Sequence, residues 1–169
     1  MTIDRGGWAW QRDRVPTVEI TRSSRLLAGP SEVWPVITTF AGVNAELMPL
    51  VRMREPKSVR GRTLESYRPG ERAACWILLG GVVPFDRHLL GLESITDGVG
   101  FVEESTTWVQ RRWRHERTIE PDGTGTSLTD HLTIEPRLGF AAPVVRTIVG
   151  VVFRHRHRRL AERFGTASG

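Results

Sequence analysis

The stretch LGFAAPVVRTIVGVVFRHRHRRLAERFG, residues 138–165, is the one long helix candidate in this chain, and it constrains the fold more than any other segment. Val145, Ile148, Val149, Val152, Phe153, Leu160 and Phe164 give it an apolar stripe at helical spacing. Its first half is apolar almost all round, which a single sheet contact does not require. The segments before it read as strands and two short helices. A strongly curved antiparallel sheet can wrap around such a helix, with the short helix pair plugging one end.

The remaining elements follow from period and punctuation. TVEITRSSRLL, residues 17–27, puts Val18, Ile20 and Leu26 on one face and reads as a strand. In AGPSEVWPVITTF, Pro30 fits the first helical position, and Val33, Trp34, Ile37 and Phe40 keep the spacing of one helix face. Gly42 is expected to break that helix. VNAELMPLVRM predicts a second short helix, closed at Pro49 or soon after. From Arg52 to Ile95 the pattern is strand-like with Gly and Pro breaks, and WILLGGVVPF (76–85) is too short and too Gly-rich for a helix. FVEES (101–105) is a short strand. Strands over about 108–120 and 126–136, joined through PDGTG, form a hairpin. Residues 1–16 show no period and read as an arm, and 166–169 as a tail. One domain is therefore expected over 17–165, a size that can bury a real core.

Within the hairpin, Trp113, His115, Arg117 and Ile119 share one face, and Leu128, Asp130, Leu132 and Ile134 share one face of the return strand. Each face is mostly apolar but carries charge or an imidazole. With a short turn at 121–125, Asp130 lies opposite either His115 or Arg117, and both cations fall within its reach. If Phe101 points inward, so does Glu103, two residues on. This predicts an interior cluster of Glu103, His115, Arg117 and Asp130. A buried ion-pair network, direct contact with a ligand, and acid–base catalysis are three readings of one such cluster.

Composition narrows the function classes. A single cysteine, Cys75, excludes an internal disulfide framework and a cysteine metal cluster, and it reads as a small buried hydrophobe rather than a nucleophile. Met1 to Arg14 holds no apolar core of a signal peptide, and the longest uncharged apolar run, Cys75 to Phe85, is about half of the roughly 20 residues a spanning helix needs. A cytoplasmic protein without a transmembrane segment is expected. The net charge of +5 is carried by the C-terminal segment: residues 137–169 hold seven Arg against Glu162 alone. Phe153 to Phe164 carries five arginines and two histidines. Basic residues suit a helix C-terminus through its dipole, so a solvated helix end is expected rather than a specific nucleic-acid or anionic-lipid site. No aromatic residue interleaves with the arginines as base stacking would require.

Motifs with a dedicated chemistry are missing from the sequence. There is no Gly-rich phosphate loop, nucleophile elbow or H-E-x-x-H. The histidines of RHRH (154–157) are two apart and point to different sides of a helix, a poor metal site. His88 and His131 have no evident partner at usable spacing, and Glu46 is expected on a solvated helix face. Neither a metal nor a cofactor is expected.

The segments AGPSEVWPVITTF, GFVEES, WRHERTIEPDGTGTSLTDHL and FRHRHRRLAERF, in this order, resemble the START/Bet v 1-like superfamily, also called the polyketide cyclase/dehydrase and lipid-transport (SRPBCC) superfamily. The resemblance covers residues 17–165. It implies an α+β helix-grip fold, in which a curved antiparallel sheet wraps around the long C-terminal helix. It also implies a largely apolar cavity between helix and sheet that takes a hydrophobic small molecule such as a lipid, polyketide or quinone. On that implication the residues expected to meet the ligand are Trp34, Trp76, Phe101, Glu103, Trp113, His115, Arg117, Leu128, Asp130, Leu132, Val145, Ile148 and Val152. The three tryptophans either bound the cavity or fill core. A minority of the superfamily catalyse cyclisation or dehydration; here His115 would be the base, held by Asp130. The oligomeric state is left open, a homodimer included.

Overall fold

The computed structural model describes residues 16–68 and 70–166. Apart from Pro16 and Thr166, the expected arm (1–16) and tail (166–169) lie outside the described residues. In chain order the elements are β1 (Val18–Leu26), α1 (Pro30–Ile37), α2 (Phe40–Leu47), β2 (Val51–Arg54), β3 (Arg72–Leu79), β4 (Val83–Thr96), β5 (Gly100–Thr107), β6 (Gln110–Asp122), β7 (Gly125–Pro136) and α3 (Ala142–Phe164). The strands form one antiparallel sheet in the order β1-β7-β6-β5-β4-β3-β2. Register breaks in β3, β4 and β6 supply local bends, and the sheet curls around α3 in the helix-grip arrangement.

The period-2 reading of the hairpin sets which side chains go inside. In β7 every even position from Thr126 to Pro136 is buried, and in β6 His115, Arg117 and Ile119 are. Arg117 is the residue directly opposite Asp130, and His115 pairs with Leu132. Phe101, Glu103, Ser105 and Thr107 continue the inner face on β5. The run at 76–85 is itself a hairpin: Gly80 and Gly81 turn it with φ of +58° and +79°, values that side chains rarely adopt.

Two helix expectations need correction. The break after α1 falls at Thr38 and Thr39, not at Gly42, because Thr39 caps α2 through its side chain, which accepts from the Gly42 N–H at 3.0 Å. Gly42 lies inside α2 for a different reason: a Cβ there would sit 1.8 Å from the Val36 carbonyl oxygen. The second correction concerns the long helix, whose two halves are placed the opposite way from their polarity. Val144, Ile148 and Val151 in the apolar half are 59%, 53% and 44% exposed, whereas His155, Arg156 and His157 in the basic half are buried. Arg154, Arg158, Arg159 and Arg163 do face solvent.

Candidate functional site: a cavity above a buried ion network

Between the apolar half of α3, helix α2 and the inner face of β2–β6 lies a cavity of about 560 Å³. Phe40, Val43 and Leu47 line it from α2, Met53 and Ile77 from β2 and β3, and Leu90 and Leu92 from β4. Its mouth is ringed by Leu79, Phe85, Trp108, Val109, Leu138, Val144 and Ile148, all exposed hydrophobics. This accounts for the exposure of Val144 and Ile148, which border the cavity, but not for Val151, which lies off it.

Of the residues expected to meet a ligand, Phe101, Glu103, Trp113, His115, Val145, Ile148 and Val152 line the cavity. The other six do not. Leu128 and Leu132 are fully buried in two apolar clusters behind the wall. Arg117 and Asp130 are fully buried beneath His115. Trp34 belongs to the core cluster around α1, and Trp76 lies on the opposite face of β3 from Cys75 and Ile77, stacked edge-on to Trp108 at 5.0 Å. Alternation along β3 accounts for Trp76, since an inward Cys75 forces its neighbour outward. Cys75 is buried, and burial pushes its thiol up to about 12.

Beneath the cavity a network of hydrogen bonds and ion pairs runs through the molecule. Glu103 Oε1 accepts from His88 Nε2 and Ser105 Oγ, both at 2.6 Å, and its Oε2 faces His115 Nδ1 at 3.7 Å. His115 Nε2 meets Asp130 Oδ1 at 2.8 Å. Asp130 also accepts two bonds from Arg117, at 2.6 and 2.8 Å, and meets His157 Nε2 at 3.0 Å. The other edge of Arg117 forms a two-pronged contact with Glu46, both bonds 3.1 Å, and Arg156 Nε reaches the same carboxylate at 2.9 Å. Helix α2, strands β4–β7 and helix α3 each contribute. The His115 ring is held edge-on between Phe101 and Phe153, with centroids 5.4 and 5.3 Å away.

The charges keep one another ionised. Burial alone would raise the pKa of Glu46, Glu103 and Asp130, because a carboxylate is stabilised by water. Arg117 and Arg156 outweigh burial at Glu46, His88 and His115 outweigh it at Glu103, and Arg117 with His115 outweighs it at Asp130, so all three lie below the usual carboxylate range. Burial works against the Arg117 guanidinium too, but Asp130 and Glu46 more than restore its charge. With Glu103 and Asp130 ionised, His88, His115 and His157 all donate through Nε2.

The predicted cluster of Glu103, His115, Arg117 and Asp130 is thus brought together, and besides Ser105 four further charged or imidazole side chains extend it. Glu46, expected in solvent, is buried between Arg117 and Arg156. His88, expected without a partner, bonds Glu103. Arg156 and His157, expected on a solvated helix end, point inward. Signals for these existed. His88 shares its strand face with Leu90 and Leu92, Glu46 adjoins the buried Leu47, and Arg156 falls midway between Phe153 and Leu160 on the apolar stripe. The cationic or anionic side chain masked a periodicity that was otherwise clear. Among the described residues no group of three or more His, Cys, Asp or Glu side chains is placed to hold a metal ion. None of their helices is long and apolar enough to cross a membrane.

Comparison with known proteins agrees with this architecture. Among solved structures, a START superfamily protein from Mycobacterium smegmatis is 13% identical, with 86% of this chain and 96% of that one covered and a TM-score of 0.65. Protein CV1439 from Chromobacterium violaceum is 12% identical over 89% of this chain and 98% of that one, with a TM-score of 0.68. Ara h 8.0201 is 10% identical over 87% and 99%, with a TM-score of 0.55. At such identities the likeness shows the fold, which is START/Bet v 1-like. No curated protein matches the chain. A family model described as "Domain of unknown function (DUF8410)" matches residues 24–164, and the chain belongs to that family.

Proposed function

We propose that residues 17–165 form a ligand-binding domain that holds a hydrophobic small molecule, such as a lipid, polyketide or quinone, in the cavity beneath α3. The observation that carries this reading is a space of about 560 Å³ with mostly apolar walls, bordered by helix residues that would otherwise have packed. Protein interiors are close-packed, and an apolar void of this size forfeits contacts that a ligand restores. The volume falls within the roughly 300–1,000 Å³ typical of small-molecule sites. The few polar groups on the wall, Glu103 and His115 among them, would orient the ligand while the apolar surface supplies affinity. Native mass spectrometry of the purified protein tests for a co-purified small molecule, and titration with N-phenyl-1-naphthylamine tests the site directly. One equivalent should bind to the wild type, and Val152→Trp, which fills the space, should abolish binding while the fold survives. Absence of binding by the wild type, or unchanged binding by the variant, would refute the assignment.

A second reading is favoured by one observation: His115 lies on the cavity wall with Asp130 behind it. A cyclase- or dehydrase-type enzyme would use His115 as the base that touches substrate. Asp130, being shut off from the cavity, would act only by positioning that ring. Turnover of a bound polyketide that collapses in His115→Gln while binding persists would select this reading over simple carriage.

A further inference from the structure

Two buried side-chain atoms, the Tyr67 hydroxyl and Gln110 Oε1, have no hydrogen-bond partner among the described residues. Both residues line the same cavity. Tyr67 is 5% exposed and Gln110 is 6% exposed. Buried polar atoms without partners are rare, because each costs the hydration it has lost. Two chance defects would not be expected to share one cavity wall.

Their surroundings fix the Tyr67 ring and the Gln110 backbone. The Arg62 guanidinium sits 4.5 Å above the centre of the Tyr67 ring and is itself fixed by Glu71. Burial pushes the Tyr67 hydroxyl up to about 12, so it stays a neutral donor at ordinary pH. The Gln110 backbone N–H is tied to Thr107 Oγ1 at 2.9 Å. The two groups belong to different parts of the wall: Tyr67 lies in the connection between β2 and β3, and Gln110 opens β6.

We infer that the ligand is an uncharged, mainly apolar molecule with two separate polar groups, a hydroxyl or carbonyl oxygen that accepts from the Tyr67 hydroxyl and a hydroxyl that donates to Gln110 Oε1. This rests on the carrier reading above and narrows it. Both anchors are neutral, so they suit neutral partners. A ligand with only one such group would leave one anchor unpaired, and an all-hydrocarbon ligand would leave both.

Displacement of bound N-phenyl-1-naphthylamine by 1,12-dodecanediol and by 1-dodecanol tests the inference. The diol has more hydration to lose, so a merely greasy cavity prefers the alcohol. The wild type should bind the diol at least as tightly as the alcohol. The double variant Tyr67→Phe/Gln110→Leu should reverse that order, weakening the diol relative to the alcohol by about tenfold or more, with the probe's own affinity measured for each protein. Each single variant should lose part of the preference. Tyr67→Phe should not lower the melting temperature, since its hydroxyl has no partner to lose, and this separates lost recognition from lost folding. A wild type that prefers the alcohol to the same extent as the double variant would overturn the inference and leave the carrier reading standing. A wild type that fails to bind N-phenyl-1-naphthylamine at all would overturn both.

Discussion

Asp130→Ala is the sharpest perturbation of the buried network. Asp130 is fully buried and accepts from Arg117 twice, from His115 and from His157. Its removal leaves Arg117 with Glu46 alone and strands two imidazole N–H groups. Breaking a buried ion pair typically costs about 3–5 kcal/mol, and each stranded donor about 1–3 kcal/mol, with the terms overlapping because they share one site. A loss of about 4 kcal/mol is the central expectation, against a total stability of roughly 5–15 kcal/mol for a domain. In urea, where the slope for a small protein is about 2 kcal/mol/M, this moves the unfolding midpoint down by about 2 M. Asp97→Ala is the control, because Asp97 is an exposed turn residue, and such changes usually stay within about 0.5 kcal/mol. Tryptophan fluorescence during urea titration reads both midpoints. Equal midpoints for the two variants would refute the account of Asp130 as the hub of the network.

Other expectations follow from the same geometry. Glu46, Glu103 and Asp130 have folded pKa values below their unfolded ones of about 3.9–4.3, so the unfolded chain takes up protons first as pH falls. Their stabilising contribution is therefore present above about pH 4 and is lost below it, and the urea midpoint should fall steeply between about pH 4 and pH 2 and less steeply in Asp130→Asn. Gly42→Ala forces a Cβ against the Val36 carbonyl and should destabilise the fold by more than about 1 kcal/mol in the same titration, with the loss appearing first in the contact between α1 and α2. Replacing Arg154, Arg158, Arg159 and Arg163 together with Gln should leave both the fold and ligand binding nearly unchanged, because all four face solvent. Tight, sequence-selective nucleic-acid binding by the wild type at physiological salt, lost in that variant, would instead make the basic helix face an interface.

The architecture was legible because its signals are periodic. Alternation along 111–119 and 128–134 is enough to define the inner face of the hairpin and the Asp130 cluster. The stripe from Val145 to Phe164 gave the helix. What stayed hidden was where charge goes when it has a partner far away in sequence. Glu46 is 71 residues from Arg117 and 110 from Arg156, and no local pattern announces such a pairing. Sequence polarity therefore placed Glu46, Arg156 and His157 in solvent, while their mutual neutralisation puts them inside. Two of the six residues that fall off the cavity wall do so for a related reason. Leu128 and Leu132 point inward as expected, but inward on β7 means toward Val149, Phe153 and Leu160, and not toward open space. Periodicity gives the face of a strand but not whether the opposite wall is near or far.

Helix α3 is fastened very unevenly along its length. Its second half is bolted down by Arg156 to Glu46, by His157 to Asp130 and Ser24, and by His155 to the Met48 carbonyl at 2.8 Å. Its first half borders the cavity, and Gly150 lies near the junction with open space where a Cβ would be. Glycine within a helix costs about 1 kcal/mol relative to alanine. The first half is held instead by the packing of Val145, Val149 and Val152 against Val18, Leu132 and Ile134 and by Arg146 on the Glu19 carbonyl. Amide hydrogen exchange should then be slower over 153–164 than over 142–152, and Gly150→Ala should slow exchange in the first half with little change in the second.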